Sequence, residues 1–434
     1  MNKILEAREE RAEHIKKLMQ DNPHKTVVVL KKNVVGTNKN PVHMMFICNY
    51  FNEIVLKTFS GKVIEYGKRR SFDGDYCFYV INELGTQVKE RTIEIEESCR
   101  LGRIIDIDVY HEKSISRRDM SCEMRKCLIC DDYAHICARN KTHSPEEILG
   151  KIEEIIEEFL TDYLTKLSIQ AIYQELELHP KFGLVSHRDT GSHKDMNYQT
   201  FINSAFAIRK HISQYIQQGF SKTIDYDKLQ KIGISAEKKM FKATNNVNTH
   251  KGLVYLLGVF LPALTKTIIR GEDENYLKAL IIEISSQIVG DYYDTVKDKN
   301  KENLTNADII YLNHGLKGVR GESLKGLDLI FTIPTYDDFD VDVVNHEYLI
   351  QLMSKLDDTT IIHKNNLSTL RDVQNDMKKL IAQGGYKNNK KMFTDISTLY
   401  KLNNISPGGS ADMLVIKIIY EDLKYLFKNN KGNH

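Results

Sequence analysis

Charge of either sign is scarce in excess: 61 Lys and Arg stand against 59 Asp and Glu, a formal +2 over 434 residues. No overall field draws in nucleic acid, so any anion site has to be local. Long apolar runs are also missing. The longest, "GLVYLLGVFLPAL" (252–264), is too short to span a bilayer, and the N-terminus "MNKILEAREERAEH" has no signal-peptide core. This predicts a cytoplasmic protein with no membrane partner. Cysteine is absent from the last two thirds of the chain. All seven (Cys48, Cys77, Cys99, Cys122, Cys127, Cys130, Cys137) lie early, and the odd count argues for reduced thiols over a disulfide framework. There is no Walker loop G-x-x-x-x-G-K-[S/T], and no adjacent His-Asp pair of the kind a metal-dependent phosphohydrolase uses.

The length predicts two cores, and the lopsided cysteines suggest two domains of different history. The first part combines a charged helix near 2–20 with the β-branched runs "KTVVVLKK", "DYCFYVIN" and "GRIIDIDVY", a mixed α/β pattern. From Pro145 the pattern turns helical, with Ser144 as N-cap and Glu147 at the capping-box position. Periodic apolar segments at 252–264, 276–289 and 411–428 then predict an all-α bundle, with a boundary near residue 161. The Asn- and Lys-rich stretches 386–391 and 428–434 read as solvated loop and tail.

In "LGRIIDIDVYHEKSISRRDM", Asp106 and Asp108 are two apart on an expected strand, so both project from one face while Ile105, Ile107 and Val109 project from the other. Such a pair suits Mg²⁺ shared with substrate phosphates, with Arg103 before it and Arg117 and Arg118 on the next expected strand as phosphate contacts. An exposed strand edge carrying two salt-bridged aspartates has the same pattern. "RKCLICDDYAHICARNKTH" offers Cys127, Cys130, Cys137 and His143 for a Cys₃His zinc site, or simply as buried thiols.

Three loops in the second half share a design in which polar and glycine residues lead into a helix start, leaving N–H groups for an anion. In "GLVSHRDTGSHKDMNYQTF" (183–201), Gly183, His187, Asp189 and Gly191 precede His193, Lys194 and Asp195, with a helix expected from Asp195 or Met196. In "NNVNTHKGLVYLLG", Asn248 or Thr249 caps a helix opening with His250, Lys251 and Gly252. In "NISPGGSADMLV", Gly408 and Gly409 allow close approach, and Ser410 caps the helix carrying Asp412. "LNHGLKGVRGES" adds His314, Arg320 and Glu322. Together these point to a polyphosphate ligand with Mg²⁺, Asp195 and Asp412 being metal candidates.

Both halves resemble known families. Residues 1–161 resemble apo-citrate lyase phosphoribosyl-dephospho-CoA transferase through "LEAREERAEH", "LGRIIDIDVY", "SRRD" and "CLICDDYAHICAR…H". Residues 162–434 resemble triphosphoribosyl-dephospho-CoA synthase through "KFGLVSHRDTGSHKDM", "NNVNTHKG", "HGLKGVRGE" and "NISPGGSAD". The resemblance implies a nucleotidyltransferase-like α/β domain fused to an all-α domain. The second would join ATP and 3′-dephospho-CoA with release of adenine. The first would transfer the product to a serine of the acyl carrier (gamma) subunit of citrate lyase, releasing pyrophosphate. It implies Asp189 or Asp195 as base or cation stabiliser, His193 or His250 as acid or phosphate ligand, and Lys251 with Gly408 to Ser410 around the triphosphate. Asp106 and Asp108 would hold Mg²⁺, and Arg103, Arg117 and Arg118 would neutralise charge.

The sequence also departs from these families. "KNVVGTNKNP" keeps Asn33, Gly36 and Lys39 but lacks the expected proline, Phe182 replaces a proline, and "IIHKNNLSTL" (361–370) stands where His-Arg-Gly-Gly is expected. The same chemistry serving malonate decarboxylase, a phosphohydrolase and a non-catalytic nucleotide- or carrier-binding scaffold remain open alternatives.

Overall fold

The computed structural model describes residues 2–427 other than 337 and 339, so the expected tail 428–434 lies outside the described residues. The chain divides into two compact units. One comprises residues up to Leu160 with Ile268–Asp273 and the segment from Tyr425, the other Thr161–Thr267 and Glu274–Lys424.

The first unit contains α1 (Asn2–Asp21), β1 (Thr26–Lys32), α2 (Met45–Thr58), β2 (Val63–Arg69), β3 (Tyr76–Ile81), α3 (Gly85–Glu97), β4 (Ile105–His111), β5 (Lys113–Ile115) and α4 (Ala134–Asn140). Its strands form one antiparallel sheet in the order β2-β3-β1-β4-β5. β1 is central and covered on both faces, which is why Val27 to Leu30 read as an unbroken apolar run instead of alternating. On one face Ile15 and Leu18 of α1 pack against Val27, Val29, Phe78 and Val80. β4 does alternate: Ile105, Ile107 and Val109 are buried, while Asp106 and Asp108 are partly exposed. Asp106 is opposite Lys31 and Asp108 opposite Val29, so both aspartates share the face that α1 packs on.

The helix α5 (Pro145–Glu177) starts as expected: Ser144 N–H donates to Glu147 (2.7 Å) and Glu147 N–H donates to Ser144 Oγ (3.2 Å). Its 33 residues run through the division between units, so no loop marks the boundary. The second unit continues with α6 (Tyr198–Phe220), α7 (Tyr226–Ala243), α8 (Lys251–Arg270, counted with this unit as far as Thr267) and α9 (Glu274–Val289). Later helices include Val341–Lys355, Thr359–Lys364, Leu367–Ala382, Lys390–Leu402 and Gly408–Leu423, with no strand among the described residues. α8 corrects one expectation. At 20 residues it is long and apolar enough to cross a membrane by length and composition, but 83% of its apolar window is buried inside the fold. The flanking "TKTIIR" extends the helix beyond 264.

Candidate active sites

In the first unit, Arg125 Nη1 donates to Asp106 (3.1 Å), and Lys31 Nζ lies 3.6 Å from Asp108. Burial raises the Asp106 pKa against the pull of Arg125, and Asp108 adds to the rise. These are not the cations expected. β5 ends at Ile115, so Arg117 and Arg118 lie in the following turn and not on a strand. Arg118 is exposed, while Arg117 is drawn away to Glu96 (2.7 Å) and Glu97 (2.6 Å). Glu96, only 4% exposed, organises this region: it also binds Arg125 (2.6 Å) and accepts from the Ile107 N–H (2.7 Å). Buried Lys89 donates to the Ile107 carbonyl (3.1 Å), so two α3 side chains fix the residue between the aspartates. Gly102 is required there, since a Cβ would meet the Glu96 carbonyl oxygen at 2.2 Å. Arg103 donates to the Lys126 carbonyl.

In the second unit the loop 183–195 folds against residues 405–406. Gly191 has φ +60°, and a Cβ there would lie 2.2 Å from the Gly183 carbonyl oxygen; one on Gly183 would lie 2.2 Å from that of Ile405. These glycines serve a backbone crossing. Ser192 Oγ donates to the Ile405 carbonyl (2.9 Å), and the crossing brings His193 Nε2 to 2.9 Å from Ser406 Oγ. Lys364 completes the contact at 3.2 Å from the same nitrogen. Burial, then Lys364, lowers the His193 pKa to about 4, so the imidazole is neutral at neutral pH. Burial lowers the Lys364 pKa too. Asp195 is exposed, 3.9 Å from His193 Nδ1. Asp189 accepts from the Gly191 N–H (2.7 Å) and Lys401 (2.6 Å); burial opposes them, but its pKa is lowered overall.

The three expected anion-binding helix starts are capped from within. α6 begins at Tyr198, later than expected, because Asn197 and Thr200 form a reciprocal capping box. The Lys251 N–H at the start of α8 donates to Asn248 (3.3 Å). The last long helix begins at Gly408, which puts Ser410 inside its first turn and not at the cap. The Gly409 and Ser410 N–H groups donate to Asp358 (3.2 and 2.8 Å), as does Ser410 Oγ (3.0 Å).

Acid lies against these starts inside the fold. A Cβ on Gly252 would lie 2.1 Å from Asp412 Oδ2, so α8 and the helix Gly408–Leu423 meet here only because residue 252 is glycine. Burial, then Asp358 and Glu175, raises the Asp412 pKa well above the carboxylate range. Burial raises that of Asp358 as well, against its hydrogen bonds. Glu175 is paired with fully buried Lys181 (2.9 Å). His250 is a core residue: Nδ1 lies 2.6 Å from Ser204 Oγ, Phe201 packs edge-on, and burial, then Lys181, lowers its pKa to about 3.

Four sequence-distant segments therefore converge: 183–193, 250–252, 358–364 and 405–412. Gly318 adjoins them, a Cβ there meeting Thr359 Oγ1 at 2.7 Å. Arg320 lies over the rings of Tyr255 and Tyr292 (5.6 and 5.1 Å), Glu322 is taken by Lys325 (2.9 Å), and half-exposed Lys251 is 3.4 Å from Glu237. His314 lines an open groove of about 480 Å³ with Asn306 and with His363 of the 358–364 segment. Sequence reasoning missed Asp358, Ser406 and the Glu175–Lys181 pair here, and Glu96 and Lys89 in the first unit. Lys364 carried a signal, since it falls in the departing "IIHKNNLSTL" stretch.

The chain belongs to the ATP:dephospho-CoA triphosphoribosyl transferase family, whose model matches residues 161–431. Residues 1–159 match the model for apo-citrate lyase phosphoribosyl-dephospho-CoA transferase, so the chain is a transferase fused from both. It is 31% identical to "Protein CitXG" of Haemophilus influenzae, over 80% of this chain and 79% of the relative. It is 28% identical to "Protein CitXG" of Leuconostoc mesenteroides subsp. cremoris, over 96% and 95%. The 2-(5″-triphosphoribosyl)-3′-dephosphocoenzyme-A synthase of Haemophilus ducreyi is 30% identical, over 68% of this chain and all of the relative.

Proposed function

We propose that the chain assembles the citrate lyase prosthetic group in two steps, one per unit. In the second unit the 2′-hydroxyl oxygen of 3′-dephospho-CoA bonds to the ribose C1 of ATP as the bond to adenine breaks. The hydroxyl loses its proton to a base, adenine gains one, and 2′-(5″-triphosphoribosyl)-3′-dephospho-CoA results. In the first unit a serine hydroxyl of the acyl carrier subunit attacks the α-phosphate of that product, and pyrophosphate leaves. The two family matches and the fused relatives support this reading.

The observation that carries the residue roles is the convergence around His193 and Asp412. Burial, then Asp358 and Glu175, raises the Asp412 pKa, which makes its carboxylate a stronger proton acceptor for the attacking hydroxyl. His193 is neutral beside Lys364, but an incoming triphosphate would reverse the local field, raise its pKa and ready it to protonate the departing adenine. Lys364, Lys251 and Arg320 would supply cationic contacts to phosphate, with Asn248 and the Gly408–Ser410 turn shaping the wall. Asp189, Gly183, Gly191 and His250 act by positioning. Asp412, set against Gly252 with its pKa raised, suits proton transfer and not the metal. Asp106 and Asp108 in one unit, and exposed Asp195 in the other, are hard oxygen donors that would hold Mg²⁺ shared with phosphates. Bound there, the ion would neutralise phosphate charge. The antiparallel sheet presenting Asp106 and Asp108 supports a nucleotidyltransferase-like role, with Arg125, already at Asp106, toward the pyrophosphate, exposed Arg118 free to join it, and Arg103 and Arg117 held in place by Lys126 and by Glu96 and Glu97. Seven free thiols suit the reducing cytoplasm where ATP is made.

The test is adenine release from ATP and Mg²⁺ with and without dephospho-CoA. Adenine should appear only with dephospho-CoA present, and Asp412→Asn should slow it by on the order of 10²-fold or more. Release of phosphate in place of adenine would overturn the reading.

A further inference from the structure

The segment 121–144 raises a stability question that the transfer chemistry does not answer. Among its described residues only Cys137 is buried, while Ile129, Tyr133 and Ile136 are exposed, so it has no hydrophobic core of its own. Segments this small hold a fixed shape when something cross-links them. Its backbone is nonetheless closely folded. Lys126 and Tyr133 form an antiparallel bridge, the Cys127 N–H donates to the Asp132 carbonyl (2.7 Å), and the Ala134 N–H donates to that of Arg125 (2.9 Å). Cys127 and Cys130 lie in the tight turn this makes, Cys137 on α4, and His143 just beyond the left-handed residue Lys141 (φ +51°) that ends α4.

The four ligand atoms all lie within 4.8 Å of one another. Cys130 Sγ is 3.4 Å from Cys137 Sγ and 3.3 Å from His143 Nε2, and the Ile129 N–H points at Cys127 Sγ (3.5 Å). A tetrahedral Zn²⁺ with Zn–S near 2.3 Å and Zn–N near 2.0 Å sets its ligand atoms roughly 3.5–3.8 Å apart. Three sulfurs and one imidazole fill all four positions, which is the arrangement of a structural and not a catalytic zinc.

We propose that Cys127, Cys130, Cys137 and His143 bind one structural Zn²⁺, and that the module it closes holds Arg125 against the Asp106 face. The link is direct. Arg125, two residues before the first ligand, reaches Asp106, the Ile105 carbonyl (2.8 Å) and Glu96, and the Lys126 carbonyl receives Arg103. The zinc site itself stands apart from the two-step function proposed above, whereas its effect on transfer rests on it.

The full-length chain, purified under reducing conditions from zinc-supplied cells, should carry about one zinc per chain by mass spectrometry of metals. Cys130→Ser and His143→Ala should lose it. Because those variants can misfold, the unaltered chain is also stripped and reloaded with Co²⁺. Thiolate-to-cobalt charge-transfer bands and strong tetrahedral d–d absorption are expected. A chain that stays free of zinc and cobalt when both are offered overturns the site, as does a Cys130–Cys137 disulfide found in place of thiols in the freshly purified protein. Stripping should also abolish transfer to the carrier while adenine release persists. Zinc removal that leaves transfer unchanged sinks the claim about Arg125.

Discussion

Burial lowers the pKa of His193 to about 4 and that of His250 to about 3 from an ordinary 6.5, so both are neutral at pH 7 in the folded chain. As pH falls below 6.5 the unfolded chain takes up protons at these positions while the folded chain does not, so stability present above 6.5 is lost toward pH 4. Thermal melts should show Tm falling over that window, and His250→Gln should flatten the fall while lowering Tm at pH 7. The buried acids act in the opposite sense. Asp412 keeps its proton longer when folded, so it weakens the fold as pH rises above the ordinary carboxylate range. Asp412→Asn should therefore melt higher than the unaltered chain at pH 8, with the gain vanishing near pH 4, even as adenine release collapses. A variant less stable at pH 8 would mean that the carboxyl is ionised and paired. Such a trade of stability for activity is what a proton-handling group in a desolvated site entails.

At the level of elements, the features legible in the sequence were those determined by near neighbours. The capping box of Ser144 and Glu147 closes within three residues, and removing it with Ser144→Ala should cost about 1 kcal/mol by denaturant titration. β1, β3 and β4 announced themselves through β-branched runs, and the two faces of β4 followed from its alternation. β2 did not, because it is an edge strand whose side chains are mostly exposed and need no apolar pattern. Three glycine-bearing loops leading into helices were legible, and the Asn248 cap of α8 is where it was expected, but the other two helix starts were misread, since nothing near Gly409 in sequence says that Asp358 will take its amide. Glu96, Lys364 and Ser406 gain their roles only through tertiary contacts. Gly252 stood out in the sequence as part of a loop for an anion; in the fold its lack of a side chain admits the Asp412 carboxylate. Gly252→Ala should slow adenine release sharply with little loss of helix content by circular dichroism. Unchanged turnover would show that the close approach is not needed.

For the whole molecule, two chemistries on one chain should be separable by substitution. Asp106→Asn should abolish transfer to the carrier and leave adenine release intact, whereas Asp412→Asn should do the reverse when the intermediate is supplied. The division between units nevertheless falls inside α5, between Leu160 and Thr161. To a protease, which needs locally unfolded chain, a hydrogen-bonded helix of 33 residues offers no seam. Limited digestion should nick elsewhere, and the two halves of this fusion would have to be separated in the gene and not at the bench.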